Sequence, residues 1–116
     1  MAVWTDATSL KILISDDDTY DGRPLYEAIV HAARDAKLAG AKVIRGVTGY
    51  GRSGHIHETW HGFSYDMPIV VEVIDADAKI DAFLPTVQRL RAGALVIRQP
   101  VQILEPPGES GTARDN

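Results

Sequence analysis

The sequence predicts an α+β domain of the ferredoxin-like kind: a βαβ–βαβ chain folded as a four-stranded antiparallel sheet with two helices on one face. Two observations predict it, the order of the periodicities and the alternation inside two strands. Apolar runs at residues 10–14, 41–47, 67–75 and 94–104 are separated first by a helical stripe, then by a glycine-rich connection, then by a second helical stripe. In the first and third runs, Leu10, Ile12, Ile14 and Ile69, Val71, Val73 make a purely apolar face, the one helices would cover. The other face mixes Lys11, Leu13, Val70, Glu72 and Ile74. So small a sheet buries a half-apolar second face against something, most simply another copy of itself. A homo-oligomer is therefore expected.

Each element has its own signal. Residues 1–8 read as a polar N-terminal extension to a domain spanning 9–105. Leu10-Lys11-Ile12-Leu13-Ile14 is the first strand, ended by the polar Ser15-Asp16-Asp17-Asp18. Asp21-Gly22 makes a turn, and Pro24 suits the first position of a helix. Leu25, Ile29, Ala32, Ala33 and Ala36 form that helix's stripe, and Gly40 serves as its C-terminal cap. Ala41 to Val47 is the second strand, followed by a connection of roughly 18 residues, a length more often functional than accidental. Met67 to Asp75 is the third strand. Asp75 or Asp77 caps the second helix, whose stripe is Ile80, Phe83, Leu84 and Val87, with Pro85 implying a kink or a break. Ala94 to Leu104 is the fourth strand, where Pro100 favours an edge or a bulge. Residues 106–116, rich in Pro, Gly, Ser and charge, are expected to be a disordered tail.

Composition excludes several function classes. With 116 residues, 45% hydrophobic and 24% charged, the chain suits one domain with a modest core. No apolar run approaches the roughly 18–20 residues of a membrane-spanning helix, and the N-terminus lacks a signal-peptide pattern, so a cytoplasmic protein is expected. The absence of cysteine rules out disulfides and thiolate chemistry. A net charge of -4 argues against a general nucleic-acid binder, whose affinity comes mainly from phosphate neutralisation.

The chemistry concentrates in Arg45-Gly46-Val47-Thr48-Gly49-Tyr50-Gly51-Arg52-Ser53-Gly54. Glycines let successive N–H groups converge on an anion, and arginine adds a planar fork matched to phosphate oxygens. Gly49 to Gly54 spells G-x-G-x-x-G, yet no helix start follows, so a dinucleotide-binding Rossmann unit is rejected and only the local chemistry is kept. The plain alternative is a ligand-free glycine turn. Arg45 and Arg98 carry the same two readings: they meet a ligand phosphate, or they are sheet-surface arginines paired with Glu72 or Asp66.

His55, His57 and His61 form a second candidate. Residues i and i+2 of a strand face one side, so His55 and His57 can grip one metal ion, with His61 or Glu58 completing the set; the plainer reading is solvated loop histidines. Asp16-Asp17-Asp18 with Asp21 offers a hard-cation site or, more simply, a solvated acidic turn. No Ser/His/Asp set or pair of carboxylates at helical spacing points to hydrolysis, and no enzymatic activity is expected.

Several segments in order match a known pattern. They are Asp17-Asp18-x-Tyr20-x-Gly22-x-Pro24-Leu25-Tyr26-Glu27-Ala28-Ile29-Val30, then Gly40-Ala41-x-Val43-x-Arg45-Gly46-x-x-Gly49-Tyr50-Gly51 with Ile56-His57. Asp66-Met67-Pro68-Ile69-Val70-Val71-Glu72 and Lys79-Ile80-x-Ala82-Phe83-Leu84-Pro85 follow. Together these resemble the bacterial and archaeal PII-like signalling family formerly filed as a domain of unknown function. The resemblance implies a ferredoxin-like subunit assembled as a homotrimer, with residues 47–65 as a flexible counterpart of the PII T-loop. It further implies an adenine nucleotide, AMP or ADP, as effector in clefts between subunits, and a partner such as a membrane transporter or channel; genes of this group often stand beside fluoride-channel genes. Carried over by position, Arg45, Gly46, Thr48, Gly49 and Gly51 would cradle phosphate. Tyr50 shares that loop, and Arg98 is the one counterpart of the C-terminal basic residues of PII. The turn before the second helix departs from the PII pattern, reading Ile74-Asp75-Ala76-Asp77-Ala78-Lys79 with one basic residue, which favours a mono- or diphosphate, or another small anion, over a triphosphate. A reading from another class is a metal-ion-binding trimer using the loop histidines, akin to ion-tolerance proteins of the same architecture.

Overall fold

Alternating apolar side chains on two neighbouring strands pin the sheet. A computed structural model describes residues 1–46, 48–50, 57–58, 67–91 and 93–106, with only the backbone of Thr48, Gly49, His57 and Glu58. Strand β1 spans Trp4–Ser15, β4 Gly40–Arg45, β7 Pro68–Asp75 and β8 Leu95–Leu104, in the order β4-β7-β1-β8, every pair antiparallel. Helices α1 (Leu25–Asp35) and α2 (Asp77–Leu90) pack on one face and on each other. Leu10, Ile12, Ile14, Ile69, Val71 and Val73 are all buried beneath them with Leu25, Ile29, Ile80, Phe83 and Val87. The predicted ferredoxin-like α+β fold and its apolar face are thus observed. Among the described residues, no helix is long and apolar enough to cross a membrane.

Four local expectations need correction. The first strand begins at Trp4 rather than Leu10, because residues 4–8 pair with 100–104 of β8 and extend the ladder as a two-stranded ribbon beyond the end of β7. Their polarity hid this: Trp4, Thr5 and Asp6 are exposed, and Thr8, buried beside the start of α2, is polar. Helix α1 ends at Asp35, short of Gly40: Lys37 takes the left-handed conformation at φ 60, and its N–H bonds the Arg34 carbonyl at 2.9 Å. Gly40 instead opens β4. No side chain caps α2, which starts after Ala76; the Asp75 carboxylate accepts the Ala76 N–H (2.6 Å), and Asp77 bonds the Thr8 hydroxyl. Of the kink or break expected at Pro85, the break does not occur: α2 runs unbroken from Asp77 to Leu90 with Pro85 on its exposed side.

Other expectations hold. Pro100 lies on the edge strand β8. Asp21-Gly22, both at positive φ (54 and 80), turn the small hairpin of β2 (Thr19–Tyr20) and β3 (Arg23–Pro24), which delivers the chain into α1. Within the connection after β4, Thr48–Gly49 (β5) pairs with His57–Glu58 (β6), a ribbon too short for sequence periodicity to reveal. The tail from 107 lies outside the described residues.

Candidate functional site

The base of the long connection is built around Arg45, the last residue of β4. Its pairing with Ile69 places the side chain on the helix-covered face at the sheet's edge. There Nη1 donates to Asp16 Oδ2 at 2.8 Å, and the guanidinium lies 5.6 Å from the centre of the Tyr26 ring on α1. Gly46 follows, its N–H bonded to the Pro68 carbonyl at 2.8 Å. That N–H is therefore engaged with the returning strand, and Gly46 serves the site by close approach. A Cβ there would stand 3.0 Å from Pro68 Cγ, a rigid ring atom. Gly46→Ala is expected to destabilise the protein by about 1–3 kcal/mol, read as a drop in urea midpoint without change in slope. Thr48 and Gly49 sit in the β5–β6 ribbon, and Tyr50 beyond them is exposed. Gly51, His55 and His61 lie outside the described residues, as does the side chain of His57. Among the described residues no three His, Asp or Glu gather to hold a metal ion.

A second polar recess lies at the other end of the sheet. The β1–β8 ribbon and the start of α2 enclose a cleft of about 630 Å³ lined by Asp6, Thr8, Asp77, Arg98 and Gln102, with Ala7, Pro100 and Val101. Arg98 donates to Asp81 of α2 at 2.9 Å. Neither arginine pairs with Glu72: the register puts Arg45 and Arg98 on the helix side, and Glu72 on the opposite face. Asp6 and Thr8 escape a sequence reading because Trp4-Thr5-Asp6-Ala7-Thr8 has no apolar alternation and joins β1 only through its ladder with β8. The acidic turn before α2 is satisfied internally. Burial pushes the Asp75 carboxyl up, but the N–H groups of Ala76 and Ala39, together with Lys79, hold it below the usual range. Lys79 also donates to the Lys37 carbonyl at 2.7 Å, so the turn's one basic group is already engaged.

The two recesses are far apart in one chain. From Arg45 to Arg98 is three strand-steps across the sheet and four residues along it, about 20 Å between backbones. Both helices stand between them. The structure does not bring the two predicted arginines together within a protomer.

The open face carries its own network. Ser9 Oγ donates to Glu72 at 2.6 Å, while Lys42 and Lys11 flank the same carboxylate at 3.3 and 3.8 Å. The Ser9 hydrogen bond, helped by Lys42 and Lys11 and opposed by burial, holds the Glu72 carboxyl below the ordinary value. A depressed folded-state value stabilises above the unfolded value and is lost as pH falls through the folded one. The stability gap between wild type and Glu72→Gln is therefore expected to be about 1 kcal/mol at neutral pH and to shrink below about pH 4.3, measured by urea titration across pH. Around this network Ile44 and Ile97 stay exposed, with Leu13, Val70 and Leu95 beside them.

Residues 7–103 match the DUF190 family, described as "Uncharacterized ACR, COG1993". The chain belongs to that family. A UPF0166 protein of Aquifex aeolicus is 33% identical to this DUF190 chain over 90 residues, covering 76% of it and 85% of the relative. Among solved structures, CPII of Thiomonas intermedia, a nitrogen regulatory PII-like protein, superposes in its apo form with TM-score 0.62 at 12% identity, over 91% of this chain and 100% of that one. A second CPII structure, bound to ADP, AMP and bicarbonate, gives 0.61 at 16%, over 90% and 93%. A putative PII-like signaling protein of Thermus thermophilus gives 0.54 at 16%, over 88% and 91%. The PII-like fold expected from the sequence is thereby shown.

Proposed function

We propose that this DUF190 chain is a non-enzymatic PII-like regulatory subunit. It assembles as a homotrimer and binds an adenine nucleotide, AMP or ADP, in clefts between protomers. It signals the occupancy through residues 47–65 to a partner of the ion-transporter kind. One observation carries the reading. Two recesses, each with an arginine, lie at opposite ends of one sheet, so a ligand touching both must be held by two copies. In this arrangement Arg45, Gly46, Thr48, Gly49, Tyr50 and Gly51 of one protomer face Arg98 of the next.

Support comes from the open sheet face, which offers apolar area for assembly, and from CPII, a protein of the same fold solved with ADP and AMP. The internally satisfied turn before α2 leaves little positive charge for a third phosphate, in keeping with a mono- or diphosphate. Binding shifts the 47–65 segment by its differential affinity for the segment's states and by no more. Calorimetry with ADP and AMP, alongside sedimentation, tests the reading. The expected result is a trimer that binds ADP and does not turn it over, with Arg45→Ala weakening binding about tenfold or more, the size of a charge-assisted hydrogen bond. A monomer that ignores both nucleotides at millimolar supply overturns it.

A further inference from the structure

We propose that Asp16 is a specificity-determining residue: it sets the charge a ligand must carry to occupy the loop base. The inference rests on the reading above, in which Arg45 meets a ligand phosphate. Asp16 lies just past β1, and its two carboxylate oxygens hold different strands. Oδ2 accepts from Arg45 on the outgoing stem at 2.8 Å, and Oδ1 accepts the Met67 N–H on the returning stem at 3.0 Å. The Asp16 N–H in turn donates to the Met67 carbonyl at 2.9 Å, which fixes the carboxylate's approach. One side chain thus clasps both stems of the connection.

The pair is asymmetric. The Arg45 side chain is 49% exposed and the Asp16 side chain 17%, so an anion from solvent reaches the guanidinium while the carboxylate sits behind it. Tyr26 covers one face of that guanidinium, and its hydroxyl lies 3.5 Å from Nη2. A guest that grips the Nη1–Nη2 edge competes with Asp16 for Nη1, and a guest on either edge competes with Asp16 for the guanidinium's charge. A singly charged carboxylate or bicarbonate exchanges like for like and gains nothing. A phosphate dianion gains, and a neutral nucleoside does not compete. Once Arg45 turns to the guest, Asp16 loses the partner that fixes its Oδ2 side, and the Met67 N–H loses a fixed acceptor. Ligand charge is thereby passed to the returning stem.

Calorimetry of ADP and of adenosine on the full chain tests this with wild type, Asp16→Asn, Arg45→Ala and the double variant. Asparagine keeps an acceptor for the Met67 N–H and removes the charge. Asp16→Asn is expected to tighten ADP about threefold, the scale of a half-exposed ion pair, to leave adenosine unchanged, and to lose its gain in the double variant. Binding of ADP by Asp16→Asn alone would support the proposal equally. Unchanged or weaker ADP binding by Asp16→Asn, with wild type binding, overturns the role of Asp16 and leaves the nucleotide reading standing. No binding by either removes both. A test free of variants is hydrogen exchange at the Met67 amide of wild type: it is expected to speed up with ADP and not with adenosine, and no difference between the two overturns the proposal.

Discussion

Folded monomers that no longer bind ADP are the expected product of Ile44→Glu combined with Ile97→Glu. Both isoleucines are half-exposed in the single chain, at 45% and 43%, so glutamate there breaks no packing within the protomer. Both lie on the face opposite α1 and α2, away from Arg45 and Arg98. In an assembly that buries this face, each unpaired carboxylate costs about 3–5 kcal/mol, enough to dissociate it at micromolar concentration. The intact arginines would then be stranded on separate molecules. Sedimentation gives the mass, circular dichroism the fold, and calorimetry the loss of ADP. Retained assembly in the double variant would mean that this face is not the interface.

The second large effect is on stability. Phe83→Ala is expected to cost about 3–5 kcal/mol and to lower the melting temperature by at least about 10 °C. Phe83 projects from α2 into the core at 3% exposure, among buried Ile80, Val87 and the strand residues Leu10, Ile12 and Val73. Alanine would leave a void under a helix whose Pro85 already removes one backbone bond. An assembly gains stability from its own concentration, so the two proteins must be compared at equal protomer concentration. A change below about 1 kcal/mol would place Phe83 outside the cooperative core.

The sheet and both helices were legible because their signals are local. Leu10, Ile12 and Ile14 alternate against Ile69, Val71 and Val73, and Leu25, Ile29 and Ala33 repeat at helical spacing, so side-chain period alone reports which face is buried. The β1–β8 ribbon was not legible. Trp4 to Thr8 has no apolar period, and its partner strand lies almost the whole chain away, so only a non-local ladder reveals it. For the site, Arg45 and Gly46 could be picked out by residue type. Their neighbours could not: Asp16 read as one of three aspartates in a solvated turn, and its hold on Met67 depends on where β1 ends beside β7. Arg98 was legible as a positive charge, and its distance from Arg45 became visible only with the strand order.

Mixing two defective variants probes that distance most directly. Arg45→Ala and Arg98→Ala protein, each expected to bind ADP poorly, are combined, dissociated in mild denaturant, reassembled and titrated with ADP. A site shared between protomers unites an intact Arg45 from one chain with an intact Arg98 from another, and the predicted result is that wild-type affinity returns in a fraction of the sites. If the mixture exchanges subunits and binds no better than either parent, the two arginines do not meet across protomers, and the shared nucleotide site is contradicted.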